Sequence, residues 1–307
     1  MLDPQSHWLE LIGKINVNKS GERRAPHKPL LLLIAISRHL DGRSELSFVE
    51  VERTLRPLLN AYAPPVKGNH QPALPYWYLQ SDGLWEIADA EKLPRQAGGF
   101  PRMDALRKTT GHLTGPLLQA LVNDRSLISQ AVHLLLENHF PQSLHDDICA
   151  AVGLEAPSSM PSPDVSQKVI RRRRDPAFRE KILRAYEYRC AATGFCAALG
   201  GSFFGCEAAH VRWVAYDGPD TIENGIALEP TLHKLFDAGA WSLTDDRRMI
   251  VSADFTGTDE TVQRIRSLHG KPLKSPQPGQ PLVSIEFVRW HREEAHGGVF
   301  RLPAMPL

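Results

Sequence analysis

Between Glu155 and Gln167 the chain passes through three prolines and four serines and loses the apolar periodicity seen on either side. Such a stretch neither continues a helix nor pairs as a central strand, so it reads as a tether. It forces the 307 residues to fold as two parts, 1–154 and 171–307, joined by a Pro/Ser-rich linker over 155–170. Hydrophobic residues at 42% against 23% charged let a soluble chain of this size bury its cores without staples. The four cysteines, Cys149, Cys190, Cys196 and Cys206, are too few and too uneven for a secreted disulfide scaffold. The longest uncharged apolar run is Pro29–Ser37, too short for a membrane span, and Met1-Leu2-Asp3-Pro4 is not a secretory leader. A cytoplasmic location and no membrane partner are therefore expected. The formal charge is +1, so a nucleic acid would have to be held by a local cluster of cations. Arg171–Arg174 is one candidate, either a phosphate-steering arm or a solvated charge run.

The first part reads as α+β. Lys28–Leu40 carries eight uncharged residues after Pro29 and predicts a buried helix. Ser47-Phe-Val-Glu50 is a capping box that opens a helix towards Leu59. Tyr76–Ile87 places two apolar runs around Asp82-Gly83 and predicts a hairpin, which with the two helices resembles a small winged-helix unit. Helical periodicity returns over Leu117–Val122, Ser126–Phe140 and Ser143–Val152.

Beyond the tether, a helix is expected from Pro176 to Tyr188 with Asp175 as its cap. The next segment reads strand, loop, strand, helix: Cys206–Trp213, Asp217-Gly-Pro-Asp220, Glu223–Leu228, Leu232–Gly239. His233 and Asp237 stand four apart on one helix face and can converge on a divalent cation that also touches phosphate. A phosphodiester resists hydrolysis because water must attack an anion, so a catalyst needs a base for the water and positive charge for the phosphorus and leaving oxygen. His210 suits the base, with its second nitrogen held by Asn224 or a nearby carbonyl to select the tautomer.

His210, Asn224 and His233, with the flanks Glu207-Ala-Ala, Gly218-Pro-Asp220 and Leu232-His-Lys-Leu-Phe-Asp237, resemble the HNH endonucleases over roughly 189–243. The resemblance implies a ββα-metal fold in which His210 is the general base, Asn224 orients the motif, and His233, with Asp237, binds a divalent metal, magnesium or manganese. Many members place an acid or histidine directly before the base. This chain has Ala209, which leaves Glu207 or water to complete the metal shell. A structural Cys-x-x-Cys zinc pair, common in that family, lacks its partner thiol after Cys190, so buried free thiols are expected instead.

In the first part, Arg23-Arg-Ala-Pro-His-Lys-Pro29 sets cations beside a helix start, and Leu74-Pro-Tyr-Trp-Tyr-Leu-Gln-Ser-Asp-Gly83 offers proline and aromatic surface. Over roughly 7–87 these segments resemble the sulfur-binding domain of McrA-like, phosphorothioate-dependent type IV restriction endonucleases, which join it to an HNH nuclease. The resemblance implies a sulfur cavity at Pro75 and Tyr78, with Arg24, His27 and Lys28 as cations and Arg102 and His112 as further candidates. Sulfur is larger and softer than oxygen and accepts hydrogen bonds poorly, so an apolar wall desolvates it at lower cost. The expected partner is phosphorothioated double-stranded DNA, cut by a homodimer. The alternatives are an HNH nuclease reading another mark, such as methylated cytosine, and a non-cutting DNA-binding protein.

Overall fold

A computed structural model describes residues 4–17, 19–20, 23–24, 26–66, 69–156, 175–293 and 298–306. The tether from 157 onward and Arg171–Arg174 lie outside the described residues. The chain divides into two compact units, Met1–Asn18 with Ala25–Arg171, and Lys19–Arg24 with Arg172–Leu307.

The first unit begins with α1 (Pro4–Gly13); the two-residue strands β1 (Lys19–Ser20) and β2 (Arg23–Arg24) pair with each other and group with the second unit. Helix α2 (His27–Leu40) is buried continuously from Pro29 to Ser37, as its uniformly apolar sequence requires. Strand β3 (Leu46–Ser47) runs into α3 (Phe48–Tyr62), and Ser47 caps it by accepting the Glu50 N–H at 3.2 Å. Next come α4 (Ala73–Tyr78), β4 (Trp85–Ile87), α5 (Met103–Leu106), β5 (Thr110–Leu113), α6 (Gly115–Asn123), α7 (Arg125–His139) and α8 (His145–Val152). Helices α3, α4, α7 and α8 pack around α2.

The Tyr76–Ile87 hairpin does not form. Pro72 and Pro75 start a helix, where the missing proline N–H is not needed, and Tyr76 and Leu79 turn inward three residues apart. Gly83, at φ +72°, ends this turn, and β4 pairs instead with the distant β5 in a sheet ordered β3-β5-β4. A short aromatic run fits either period, and the prolines decide for the helix.

The second unit opens on α9 (Phe178–Ala185), shorter than expected, with Asp175 accepting the Ala177 N–H at 2.9 Å. A hairpin of β6 (Ala197–Leu199) and β7 (Ser202–Phe204) leads into β8 (Glu207–His210). Strand β8 pairs antiparallel with β9 (Gly225–Leu228), setting His210 opposite Gly225. Helix α10 (Pro230–Asp237) follows directly, then the β10 (Trp241–Leu243) and β11 (Met249–Val251) pair, α11 (Asp259–Arg266) and α12 (Ile285–Arg292). All four residues of β9 are buried, and Ile182, Ile226, Leu228, Leu232, Phe236 and Trp241 belong to one core beneath β8, β9 and α10. A Cβ on Gly225 would lie 2.2 Å from Ile182 Cδ1, so only glycine lets α9 approach the strand pair this closely.

All four cysteines are free thiols; Cys149, Cys190 and Cys206 are buried, while Cys196 is exposed, against the expectation for all four. Among the described residues no helix is long and apolar enough to cross a membrane.

Candidate active site and DNA-reading surface

His210 ends β8, where the strand delivers its ring to the mouth of the β8–β9 loop. Its Nε2 lies 2.7 Å from Asp220 Oδ1, and the Phe178 ring stacks on it with centroids 3.9 Å apart and planes 11° from parallel. The other Asp220 oxygen accepts the Asp175 N–H at 2.5 Å. One ring nitrogen of the histidine is thus held by a carboxylate. Asn224, wholly buried, fastens the loop instead. Its Oδ1 accepts the Arg212 N–H at 2.8 Å, and its Nδ2 donates to the carbonyls of Arg212 at 3.0 Å and Pro219 at 2.9 Å. Asp220 was legible only as a flank of the motif; its reach to His210 depends on this loop closure.

His233 and Asp237 do share one face of α10. His233 Nε2 is 3.2 Å from Asp237 Oδ2, and His233 Nδ1 is 2.8 Å from Glu207 Oε2. Glu207 therefore occupies the side of the site that Ala209 cannot serve. Asp237 is buried, and its Oδ1 accepts the Trp213 indole N–H at 3.0 Å, a support that sequence reasoning missed. Burial pulls the His233 pKa down, but Asp237 and Glu207 outweigh it and raise it to about 9. Each ring nitrogen is committed to a carboxylate, and the two carboxylates favour the protonated ring. Among the described residues no three His, Cys, Asp or Glu side chains are arranged to hold a metal ion. Glu207 and Asp237 hold opposite nitrogens of His233, so a single cation could meet the ring and one of these carboxylates as they are placed; an imidazole with one carboxylate is a donor pair that suits magnesium or manganese.

In the first unit Pro75 and Tyr78 lie three apart on α4, with Pro75 buried and Tyr78 46% exposed. Phe100 packs against both Trp77, with ring centroids 6.3 Å apart, and Tyr78, at 6.0 Å. The Arg95 guanidinium lies 5.3 Å from the Trp77 ring centre, a cation–π contact. Arg95 and Phe100 thus join the aromatic surface although nothing in their local sequence marks them. Arg102, two residues further on, is exposed and paired with Asp104 at 3.2 Å. His112 stands on β5 directly across from Glu86.

The expected cations at the start of α2 are committed internally. Lys28 Nζ is 2.6 Å from Asp82 Oδ2, with the two side chains only 11% and 8% exposed. His27 Nε2 is 3.1 Å from His70 Nδ1; burial first, then His70, lowers its pKa to about 4. Neither presents a ready positive charge to a phosphate. Arg24 lies on β2, outside the residues whose side chains are described.

Comparison with known proteins matches residues 5–157 to the ScoMcrA-like DNA sulfur-binding domains and residues 190–244 to the HNH endonucleases. The sulfur-binding domain of ScoMcrA complexed with phosphorothioated DNA resembles 46% of this chain over 94% of its own, at 22% identity and a TM-score of 0.42. The sulfur-binding and SRA domains of ScoMcrA in such a complex align with 65% of this chain over 58% of theirs, at 20% identity and 0.47. The type IV phosphorothioation-dependent restriction endonuclease ScoMcrA aligns with 58% of this chain but only 33% of its own length, at 21% identity and 0.41. No curated protein matches the chain. The chain therefore joins a domain of the ScoMcrA-like DNA sulfur-binding family, over residues 5–157, to a domain of the HNH endonuclease family, over residues 190–244.

Proposed function

We propose that this chain is a modification-dependent restriction endonuclease that recognises phosphorothioated double-stranded DNA through residues 5–157 and hydrolyses a phosphodiester nearby at the β8–β9–α10 centre. The observation that carries the reading is that one strand pair and the helix after it bear both His210, held by Asp220, and the mutually bonded Glu207, His233 and Asp237. These are the groups that phosphodiester hydrolysis demands, a base and a cation site.

His210 takes the proton of the attacking water, with the Nε2–H given to Asp220 so that Nδ1 is the basic nitrogen. His233 with one of its flanking carboxylates, Glu207 or Asp237, would hold magnesium or manganese, which would supply positive charge for the phosphate and leaving oxygen, while the other carboxylate orients the ring. Asn224 holds the loop that closes over this end of the strand pair. At the recognition surface, Tyr78, exposed on the helix that Pro75 helps to start, offers the apolar contact that favours sulfur over oxygen, while Arg95 and Arg102 are the cations for the backbone. Cleavage of both strands calls for two centres, which a symmetric dimer supplies.

The test is cleavage of two duplexes of one sequence, phosphorothioated or plain, with magnesium, manganese or EDTA. Cutting of the sulfur duplex alone, abolished by EDTA and by His210→Ala or His233→Ala with binding retained, is expected. Equal cutting of both duplexes would leave a nuclease that reads another mark, such as methylated cytosine. Binding without cutting under every metal would leave a DNA-binding protein.

A further inference from the structure

We propose that Asp220 is the positioning residue that fixes His210 as the base, and that Phe178 clamps the same ring from outside the nuclease motif; this rests on the reading of His210 given above. The Asp220 carboxylate can only accept, so it selects the tautomer with hydrogen on Nε2 and the lone pair on Nδ1. Flipping the ring would break that bond, while the parallel Phe178 ring blocks tilting. When His210 takes up a proton, positive charge forms beside an anion 2.7 Å away, with the two side chains only 17% and 15% exposed. A preset charge so partly dehydrated stabilises that developing imidazolium without reorganising solvent.

The carboxylate is itself immobilised. The Asp175 N–H holds its second oxygen, and the preceding residue, Pro219, has its carbonyl bound by Asn224 Nδ2. A Cβ on Gly218 would lie 1.9 Å from the Arg212 carbonyl oxygen, so the turn before Asp220 is packed too tightly for any other residue. Asn224 thus acts on the base at one remove, through Pro219 and Asp220. Phe178 begins α9, twelve residues before the matched motif starts at 190, so no reading confined to the motif would include it.

The experiment compares full-length wild type with Asp220→Asn, Asp220→Glu and Phe178→Leu on the sulfur-bearing duplex at saturating metal, from about pH 5 to 9. Asp220→Asn keeps the shape and removes the charge. It should lower kcat by about 100- to 10,000-fold with KM and duplex binding unchanged. The acid limb of the remaining activity should move to lower pH, since an imidazole without its carboxylate is less basic. Asp220→Glu should recover part of the rate, and Phe178→Leu should lose rate with the acid limb in place. Imidazole nitrogen chemical shifts of His210 give a readout independent of turnover: one tautomer in wild type, a mixture in Asp220→Asn. A wild-type rate in Asp220→Asn, an unmoved acid limb, or an unchanged tautomer would overturn the proposal. Undiminished cleavage by His210→Ala would instead sink the base assignment beneath it.

Discussion

Trp213 donates its indole N–H to Asp237 Oδ1 at 3.0 Å, while the other oxygen of that carboxylate lies 3.2 Å from His233 Nε2. The indole therefore fixes which oxygen faces His233. Trp213→Phe keeps most of the ring packing against Tyr216 and Trp290 and removes only the donor. Metal affinity or activity should fall about 10- to 100-fold, the usual effect of losing a partner behind a ligand. A metal titration of cleavage checks this; binding of the sulfur duplex should not change.

Lys28 separates a positioning role from a phosphate contact. Removing one member of a buried ion pair costs about 3–5 kcal/mol because its partner is left charged and dry. Lys28→Met should therefore destabilise the first unit strongly, and Lys28→Met with Asp82→Leu should recover much of the loss in a denaturant titration. The salt slope of DNA binding by the double variant should match wild type. A slope lower by about one would mean Lys28 reaches a phosphate after all.

His291 is wholly buried, with Nε2 donating to the Phe236 carbonyl at 3.0 Å and Nδ1 accepting from Ser242 at 2.8 Å. Burial holds its pKa at about 4, below the ordinary 6.5. The unfolded chain then binds the extra proton first, so stability is intact above about pH 6.5 and falls as pH drops towards 4. The full loss is on the order of 3 kcal/mol. Thermal melts of wild type and His291→Gln across that window should converge at the acid end. Parallel curves would mean His291 does not titrate with unfolding.

Gly225→Ala should cost about 1–3 kcal/mol, since the new methyl meets Ile182 Cδ1 at 2.2 Å and the Phe178 ring at 3.0 Å. Moving Phe178 also unstacks His210, so activity should fall further than stability explains. Ile182→Val in the same chain should restore part of both, as measured by melting and by cleavage rate.

The nuclease half was legible where local spacing decides geometry. His233 and Asp237 face one way because a helix repeats every 3.6 residues, and His210 lies opposite Gly225 because β8 and β9 read as two strands closed by a Gly-Pro loop. Asp220 and Trp213 were not assigned, because their partners are set by loop closure and tertiary packing. In the first unit the capped helix after Ser47 was readable, but the Tyr76–Ile87 hairpin was not real. Its second strand pairs with residues more than twenty positions away, a long-range choice that no local pattern reports. Lys28 looked like a phosphate ligand because its neighbours in sequence are basic, whereas its neighbour in space is Asp82.

The stacking of Phe178 on His210 also decides where the cutting module can be severed and grafted onto another reader. A fragment starting at residue 190, where the motif match begins, would leave behind both the ring against His210 and the Asp175 N–H that anchors Asp220. The transplantable unit starts no later than Asp175, so the portable part of this nuclease is longer at its front edge than its signature.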